Sequence, residues 1–231
     1  MNNIAIITAR GGSKRIPKKN IREFCGRPII EYSIRAALES KLFDEVMVST
    51  DSEEIAKISR QCGASVPFFR SEENSNDYAI TADVINEVIN EYEKLGKRFD
   101  TLCCIYPTAP FVTAKKLLAA YNEMKKSNAD SAMTVVRYGF PPQRAVVIRN
   151  GKIEFQYPEY YKTRSQDLEP IYHDCGQFYF CNVDAFKKYN TMITPNCVPF
   201  VVSEEEVQDI DNISDWNIAE MKYNASKKRE S

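Results

Sequence analysis

The chain has 231 residues, of which 43% are hydrophobic and 11% aromatic, so it can bury a substantial core and is not expected to be disordered. Its 31 basic residues nearly balance its 32 acidic residues, and the formal net charge is -1. This balance excludes a global positive field that would recruit nucleic acid or anionic lipid, so any anion-binding site must be local.

The seven cysteines are odd in number and include no C-x-x-C pair, which favours reduced thiols. No basic region precedes the first apolar run, and that run is shorter than a signal-peptide core or a membrane span. We therefore expect a cytoplasmic protein with no membrane partner. His173 is the only histidine, which excludes multi-histidine metal sites.

Short β-branched runs alternate with segments of helical periodicity through roughly the first 140 residues, a pattern typical of an α/β fold with a mostly parallel sheet. Strands are predicted at residues 4–8, 45–49, 66–69, 101–106 and 131–136. Helices are predicted around residues 29–38, 50–62, 81–95 and 117–124. The spacing Thr50-x-x-Glu53 is that of a capping box at the start of the second helix.

The pattern changes from residue 139 to about residue 172, where prolines interrupt it and Asn150-Gly151 separates two short β-branched runs. Asn-Gly between such runs is the strongest short hairpin signal, and prolines do not fit inside a parallel core strand. We therefore predict an inserted β-rich arm at residues 139–172 within a single domain spanning residues 1–231. The parallel strands are expected to resume at residues 177–181 and 198–202, before a last helix over 214–223 and a frayed basic tail at 227–229.

The segment that directly follows the first strand is the most informative part of the sequence. It carries a glycine pair, a serine and a cluster of cations, namely Gly11, Gly12, Ser13, Arg10, Lys14, Arg15, Lys18 and Lys19. Glycines let backbone N–H groups approach a ligand closely, and cations neutralise phosphates. Because such folds bind ligands at the carboxyl ends of their strands, we predict a phosphate-binding loop, with a solvated basic loop as the alternative. The spacing is neither that of a Walker loop nor G-x-G-x-x-G.

Residues 9–20 resemble the N-terminal signature of the CMP-sialic acid synthetase family, the cytidylyltransferases that activate nonulosonic acids. Later segments resemble further family motifs in the same order, at residues 48–52, 69–70, 106–110, 164–168 and 209–211. The resemblance implies a Rossmann-like nucleotidyltransferase. Such an enzyme transfers CMP from CTP to the anomeric hydroxyl of a nine-carbon keto acid and releases pyrophosphate.

The resemblance also implies roles for individual residues. The expected catalytic residues are Arg10, Lys19 and Asp211. The expected nucleotide contacts are Arg10, Gly11, Gly12, Ser13, Lys14, Lys19, Asn20, Arg70 and Thr81. The expected contacts to the nonulosonic acid are Tyr106, Arg144, Arg164, Gln166, Asp167, His173, Gln177 and Tyr179. Because phosphoryl transfer is catalysed largely by positioning and charge neutralisation, a basic loop and a metal ion are sufficient equipment.

Asp209 and Asp211 are the candidate ligands of that metal. Their i, i+2 spacing in extended backbone points both carboxylates to one side, and Mg²⁺ prefers carboxylate and phosphate oxygens. Solvated acids capping the last helix are the alternative. The arm at 139–172 resembles the family's dimerisation insertion, which implies a homodimer with shared active sites; a solvated loop is the alternative.

Two departures from the sialic acid branch bear on the choice of sugar. Residues 172–179 resemble the pseudaminic acid branch, and Tyr106 stands where sialic acid synthetases often carry glutamine. Both features indicate pseudaminic acid. N-acetylneuraminic, legionaminic and 3-deoxy-manno-octulosonic acids are the alternative sugars, and a non-catalytic nucleotide-binding module is the alternative from another functional class.

Overall fold

The computed structural model describes residues 2–230 and contains a central six-stranded sheet with helices on both faces. The strands are β1 (Asn3–Thr8), β2 (Glu23–Phe24), β3 (Arg27–Pro28), β4 (Glu45–Ser49), β5 (Thr101–Ile105), β6 (Ser131–Arg137), β7 (Val146–Arg149), β8 (Lys152–Phe155), β9 (Tyr172–Asn182) and β10 (Cys197–Val202). The α-helices are α1 (Ile29–Ser40), α2 (Glu53–Gln61), α3 (Thr81–Lys94), α4 (Ala114–Lys126), α5 (Val183–Tyr189) and α6 (Ile213–Glu230).

The strand order of the central sheet is β10-β6-β9-β5-β1-β4. All neighbours are parallel except β9, which runs antiparallel to both β5 and β6. The prediction of a mostly parallel α/β fold is therefore confirmed, whereas the expected parallel strand at 177–181 is wrong. The arm leaves from the end of β6 and returns at the same edge, where Arg137 pairs with Tyr172, so the chain must run back in the opposite direction.

The strands of the sheet centre are apolar on both faces, as expected of strands covered by helices on each side. Ala5 and Ile7 of β1 pack in one cluster with residues of α1, α2 and α4, whereas Ile4 and Ile6 pack in a second cluster with residues of α3 and α5. The alternation follows the two-residue period of a strand. It fixes the register of β1, whose carboxyl end leads directly into the basic loop.

The predicted strand at 66–69 is wrong. The chain makes a single β-bridge there, between Met47 and Ser65, through hydrogen bonds from Val48 N to Ser65 O and from Ser65 N to Val46 O. Pro67 lies two residues after Ser65 and has no N–H to continue the ladder.

Two predicted helix ends also differ. The cap of α2 is Ser52, whose Oγ accepts from Ile55 N at 3.4 Å, rather than Thr50, whose Oγ1 accepts from Ser52 N at 3.2 Å and shapes the preceding turn. The basic tail at residues 227–229 is helical instead of frayed, since α6 extends to Glu230. An ion pair between Arg229 and Glu205 holds this last turn of the helix.

The arm contains the predicted hairpin, formed by β7 and β8. Asn150 and Gly151 have φ values of 51° and 74°, the left-handed conformations that a type I′ turn requires at both central positions. The other regular elements within 139–171 are short 3₁₀ turns at Pro142–Arg144, Pro158–Tyr160 and Ser165–Asp167, so the arm is less rich in β structure than expected. No helix in the described part of the chain combines the length and apolarity needed to cross a membrane.

Candidate active site

A cleft of about 560 Å³ opens at the carboxyl ends of β1 and β5. β1 lies between β4 and β5, so the chain moves to one side of β1 after α1 and to the other side after α3. This is a topological switch point, where open α/β sheets bind ligands. The predicted residues that line the cleft are Arg10, Gly12, Ser13, Lys14, Lys19, Asn20, Arg70, Thr81, Tyr106 and Asp211.

The two glycines of the basic loop have different surroundings. Gly11 N donates to Asp51 Oδ1 at 2.7 Å, and a Cβ at Gly11 would lie 3.2 Å from the Cβ of Ser52. Gly11 therefore allows the loop to pack closely against the turn before α2. A Cβ at Gly12 would meet no atom within 4 Å, so the space beside Gly12 belongs to the cleft.

Asn20 fixes the backbone of the same loop. Its side chain is buried, and its Nδ2 donates to the carbonyl oxygen of Arg10 at 2.9 Å. Since a buried amide that bonds main chain holds a loop in one conformation, Asn20 orients the residue before the glycine pair.

Arg70 contributes a buried positive charge to the cleft wall. Its Nε donates to Ser49 Oγ at 2.9 Å and its Nη2 to Ser49 O at 2.6 Å. Burial lowers the pKa of Arg70, while the nearby carboxylates of Asp51 and Glu87 oppose this effect, and an arginine remains charged throughout. A buried guanidinium beside a cleft favours an anionic ligand. Burial has taken the positive charge of the guanidinium out of water, and the negative charge of the ligand compensates for the lost hydration.

The cations at the outer side of the loop are paired with a residue that sequence reasoning missed. Arg10 Nη1 donates to Asp77 Oδ1 at 2.8 Å and to Asn76 O at 3.0 Å, and Lys14 also forms an ion pair with Asp77. Hydrogen bonds from Lys14 and Arg10 lower the pKa of the Asp77 carboxyl. A phosphate that binds these cations must compete with Asp77. Asp77 lies in the polar segment before α3. The sequence of that segment contains only turn-forming signals, so it did not indicate a role for Asp77.

The opposite wall comes from the C-terminal part of the chain. Arg15 pairs with Asp211 at 2.8 Å, and Lys19 Nζ donates to Ile210 O at 2.7 Å and lies 4.0 Å from Asp211 Oδ1. Burial lowers the pKa of Lys19, and the charges of Asp211 and Asp209 act against this. Behind this wall, an apolar cluster joins the loop to α6; its members include Ile16, Phe24, Ile210 and Trp216.

The two candidate metal ligands lie in different walls. Asp211 lines the main cleft, whereas Asp209 lines a neighbouring cleft of about 330 Å³. Among the side chains that the structure describes, at residues 2–229, no group of three His, Cys, Asp or Glu could hold a metal by itself. One or two carboxylates that act with phosphate oxygens and water are nevertheless the usual ligands of Mg²⁺. Asp211 therefore fits an ion that is bound together with a nucleotide in the main cleft, whereas Asp209 faces the neighbouring cleft.

Tyr106 forms the inner end of the cleft, directly after β5. Its carbonyl oxygen accepts from Ser33 Oγ at 2.8 Å, and its hydroxyl lies 3.4 Å from Thr81 Oγ1. The ring of Tyr179 packs on it with centroids 5.5 Å apart. Burial raises the pKa of both tyrosines, so both hydroxyls keep their protons at neutral pH. Gln177, also buried, donates to Glu206 O at 2.6 Å.

The remaining predicted sugar contacts lie outside the main cleft of the same chain. His173 lines the neighbouring cleft, where its ring lies 4.5 Å from that of Tyr138. Gln166 lines a third cleft of about 500 Å³. In the arm, Arg164 and Asp167 form an ion pair at 2.6 Å, and Arg144 Nη1 lies 3.4 Å from Ser165 Oγ.

Arg10→Ala tests the phosphate-binding loop predicted from the sequence. We expect it to lower kcat/KM for a nucleoside triphosphate by roughly 10- to 100-fold, through the loss of a charge-assisted hydrogen bond to phosphate. Its melting temperature should fall by only a few degrees, since an exposed ion pair contributes about 0–1 kcal/mol. Pyrophosphate release at varied concentrations of the triphosphate and thermal unfolding measure the two effects. Arg35→Ala, which breaks a partly exposed ion pair with Glu31 on α1, is the control. Equal losses of stability and activity would contradict a role in binding.

Known proteins resemble this chain in sequence and in fold. A family model described as cytidylyltransferase matches residues 4–188. The chain is 39% identical to the pseudaminic acid cytidylyltransferase of Campylobacter jejuni over 96% of this chain and 97% of that protein. It is 33% identical to the CMP-N,N'-diacetyllegionaminic acid synthase of Legionella pneumophila over 95% of each chain.

A solved structure of a CMP-2-keto-3-deoxy-manno-octonic acid synthetase in complex with CTP has the same fold. It superposes with a TM-score of 0.71 over 99% of this chain and 100% of that chain, at 16% sequence identity. The shared fold extends over the central sheet, which carries the cleft.

Proposed function

Because the chain belongs to the cytidylyltransferase family, we propose that it transfers the cytidylyl group of CTP to the anomeric hydroxyl of pseudaminic acid and releases pyrophosphate. The observation that carries the choice of sugar is the 39% identity to a pseudaminic acid cytidylyltransferase over nearly the full length of both chains. The cations around the cleft support the nucleotide half of the reaction, and the Tyr106–Tyr179 wall supports a polar acceptor beside it.

The basic loop binds the triphosphate. Arg10, Lys14 and Lys19 neutralise phosphate oxygens, Ser13 adds a hydroxyl, and the open space at Gly12 admits the phosphates close to the backbone. Arg10 and Lys19 stabilise the negative charge that develops on the departing pyrophosphate. Asn20 and Gly11 keep the loop in place.

The buried end of the cleft holds the reacting groups in line. Arg70 supplies a fixed positive charge, and Thr81 and Tyr106 provide hydroxyl groups that are 3.4 Å apart. Since phosphoryl transfer depends mainly on positioning and charge stabilisation, these groups need only orient the acceptor hydroxyl toward the α-phosphate. The acceptor oxygen bonds to the α-phosphorus, the bond from that phosphorus to pyrophosphate breaks, and the hydroxyl proton is released to solvent water.

In this proposal Mg²⁺ would be held by Asp211 from the main cleft, and Asp209 from the neighbouring cleft would be its second carboxylate ligand. When bound, the ion supplies positive charge to the phosphate oxygens. Arg15 and Lys19 keep the Asp211 carboxylate at the cleft wall through contacts of 2.8 and 4.0 Å. The backbone N–H of Asp211 donates to Asp215 Oδ2 at 2.9 Å, which fixes the chain direction at this residue.

The arm joins two copies of the chain into a homodimer in this proposal. Large apolar side chains on it are exposed, among them Phe140 at 92%, Ile148 at 76% and Ile153 at 69%. Exposed apolar side chains on an extended arm favour a protein partner, and a second copy of the chain would bring Arg144, Arg164, Gln166 and Asp167 to its partner's cleft. A cytoplasmic location is also proposed, since the cysteines are all unpaired.

Co-refolding tests the shared site. Arg10→Ala and Arg164→Ala proteins, each weakly active alone, are expected to recover part of the activity when they are refolded together. One of the two sites in a heterodimer then combines wild-type residues from both chains. The measurement is pyrophosphate release from the mixture, with the separately refolded variants as the baseline. No recovery in confirmed heterodimers would confine each site to one chain.

Pyrophosphate release from CTP and Mg²⁺ in the presence of pseudaminic, legionaminic, N-acetylneuraminic and 3-deoxy-manno-octulosonic acids tests the function itself. The 33% identity to a legionaminic acid enzyme makes legionaminic acid the most informative competitor. Release with pseudaminic acid is the expected result. CTP binding without release with any keto acid would instead establish a non-catalytic nucleotide-binding module.

A further inference from the structure

β9 contains a wide bulge opposite β6. Met133 pairs with Tyr179 and Val135 with Asp174, so the residues between Asp174 and Tyr179 leave the ladder with β6. On the other side of β9, Phe178 still pairs with Ile105 of β5. Gly176 lies in this bulge with a φ of +60°, a conformation that favours glycine. Bulges often redirect a side chain near an active site.

The carboxylate of Asp174 closes this bulge. Its Oδ1 accepts from Gly176 N at 2.8 Å, and its two oxygens lie 2.8 and 2.7 Å from the hydroxyl of Tyr179. The carboxylate therefore links the start of the bulge to its end. Bonds to a charged acceptor are stronger than bonds between neutral groups, so Asp174 holds Tyr179 firmly.

The bulge bears directly on the wall of the cleft. Tyr179 is 5% exposed and packs on Tyr106, which lines the cleft. A Cβ at Gly176 would lie 3.7 Å from Cδ2 of Tyr106, so the bulge backbone also lies against that ring. Asp174 is not among the described residues that line the cleft, and it acts on the cleft only through these neighbours.

Asp174 also fixes the direction of hydrogen bonding in this wall. A tyrosine has a single hydroxyl proton, and Tyr179 donates it to Asp174. The oxygen of Tyr179 can then only accept from other neighbours. Burial, with added contributions from Tyr106 and Asp174, raises the pKa of Tyr179, which keeps that proton in place.

We propose that Asp174 is a positioning residue for the keto acid half of the site, setting the place and hydrogen-bonding direction of the Tyr179–Tyr106 wall and so the affinity for the acceptor sugar. This inference rests on the proposed function. Asp174 makes no contact with the nucleotide in this proposal, since the protein's cations that would bind the nucleotide lie on the basic loop and at Arg70.

The test compares Asp174→Ala, Asp174→Asn, Tyr179→Phe and the Asp174→Ala/Tyr179→Phe double variant in the full-length protein. Asp174→Ala is expected to raise KM for pseudaminic acid about 10-fold or more and to change KM for CTP less than about 2-fold. Asp174→Asn keeps an oxygen acceptor and should recover part of the loss. Tyr179→Phe keeps the ring packing and covers the case in which Asp174→Ala fails to fold.

The double variant should be no worse than the more severe single variant, because both changes remove the same interaction. Asp184→Asn, an exposed change of the same kind on α5, is the control. Parallel losses in both KM values and in melting temperature, additive effects in the double variant, or an unchanged KM for pseudaminic acid would each overturn the inference. A wild-type protein that releases no pyrophosphate with any nonulosonic acid would overturn the proposed function and this inference with it.

Discussion

Asp211→Asn is expected to lower kcat at least about 10²-fold while the protein stays folded, since loss of charge stabilisation at a phosphoryl group is typically of that size. Asp211 lines the main cleft. The substitution replaces its charged carboxylate with a neutral amide of nearly the same shape. The variant keeps the volume of the side chain and the hydrogen bond that the backbone N–H of residue 211 donates to Asp215 Oδ2 at 2.9 Å. Initial rates of pyrophosphate release at saturating CTP and at increasing Mg²⁺ give the measurement.

The stability of this variant should change little. The side chain of Asp211 is 43% exposed, and its pair with Arg15 is a surface ion pair of about 0–1 kcal/mol. Asp209→Asn provides the informative comparison, because Asp209 faces the neighbouring cleft and should produce a smaller loss. Near-normal kcat of Asp211→Asn at saturating Mg²⁺ would remove Asp211 from the proposed metal site.

The sequence was sufficient to predict those features of the fold and of the cleft that depend on a few neighbouring residues. The apolar strand β1 followed by glycines and cations predicted the position of the loop at the cleft, and Asn150-Gly151 predicted the hairpin with both residues at positive φ. These signals are local: a strand period, a turn dipeptide and a run of charges each act over a few residues.

The missed features depend on contacts between distant segments. Asp77 reaches Arg10 across 67 positions of sequence, and no local pattern distinguishes it from other acids in polar loops. The direction of β9 is set by the edge of the sheet at which the arm returns. The sequence does not reveal this direction, because a buried apolar run has the same pattern in parallel and antiparallel sheets. The bulge at Gly176 and the contact of Asp174 with Tyr179 arise within this antiparallel pairing, between residues whose proximity no local pattern indicates.

The same comparison separates the predicted sugar contacts into two groups. Tyr106 lies in the cleft and Tyr179 packs directly behind it, so a single chain suffices for their proposed role. Arg164 and Asp167 pair with each other on the arm and need a second chain to meet a cleft. Their family motif was visible in the sequence, but the assembly that would give them a ligand was not.

Pseudaminic acid is expected to be used with kcat/KM at least about 10²-fold above that of N-acetylneuraminic acid. A site whose buried polar groups match one pattern of hydroxyl and acetamido substituents can reject a mismatched sugar by about 10⁴-fold, because its partners are left unpaired. A shape mismatch of one methylene group gives only about 10- to 200-fold. The expectation takes the cautious end of the first range.

The structure adds a reason to locate this discrimination at Tyr106. Its ring and hydroxyl are fixed by Tyr179 and Thr81, so a sugar with differently placed polar groups meets a wall that does not adapt. Tyr106→Gln should narrow the gap between the two sugars mainly by damaging the use of pseudaminic acid. His173→Arg should do so less, because His173 lies in the neighbouring cleft. Parallel kcat/KM measurements with both sugars decide the matter: equal efficiency of the wild-type protein would contradict the choice of pseudaminic acid and leave cytidylyl transfer standing.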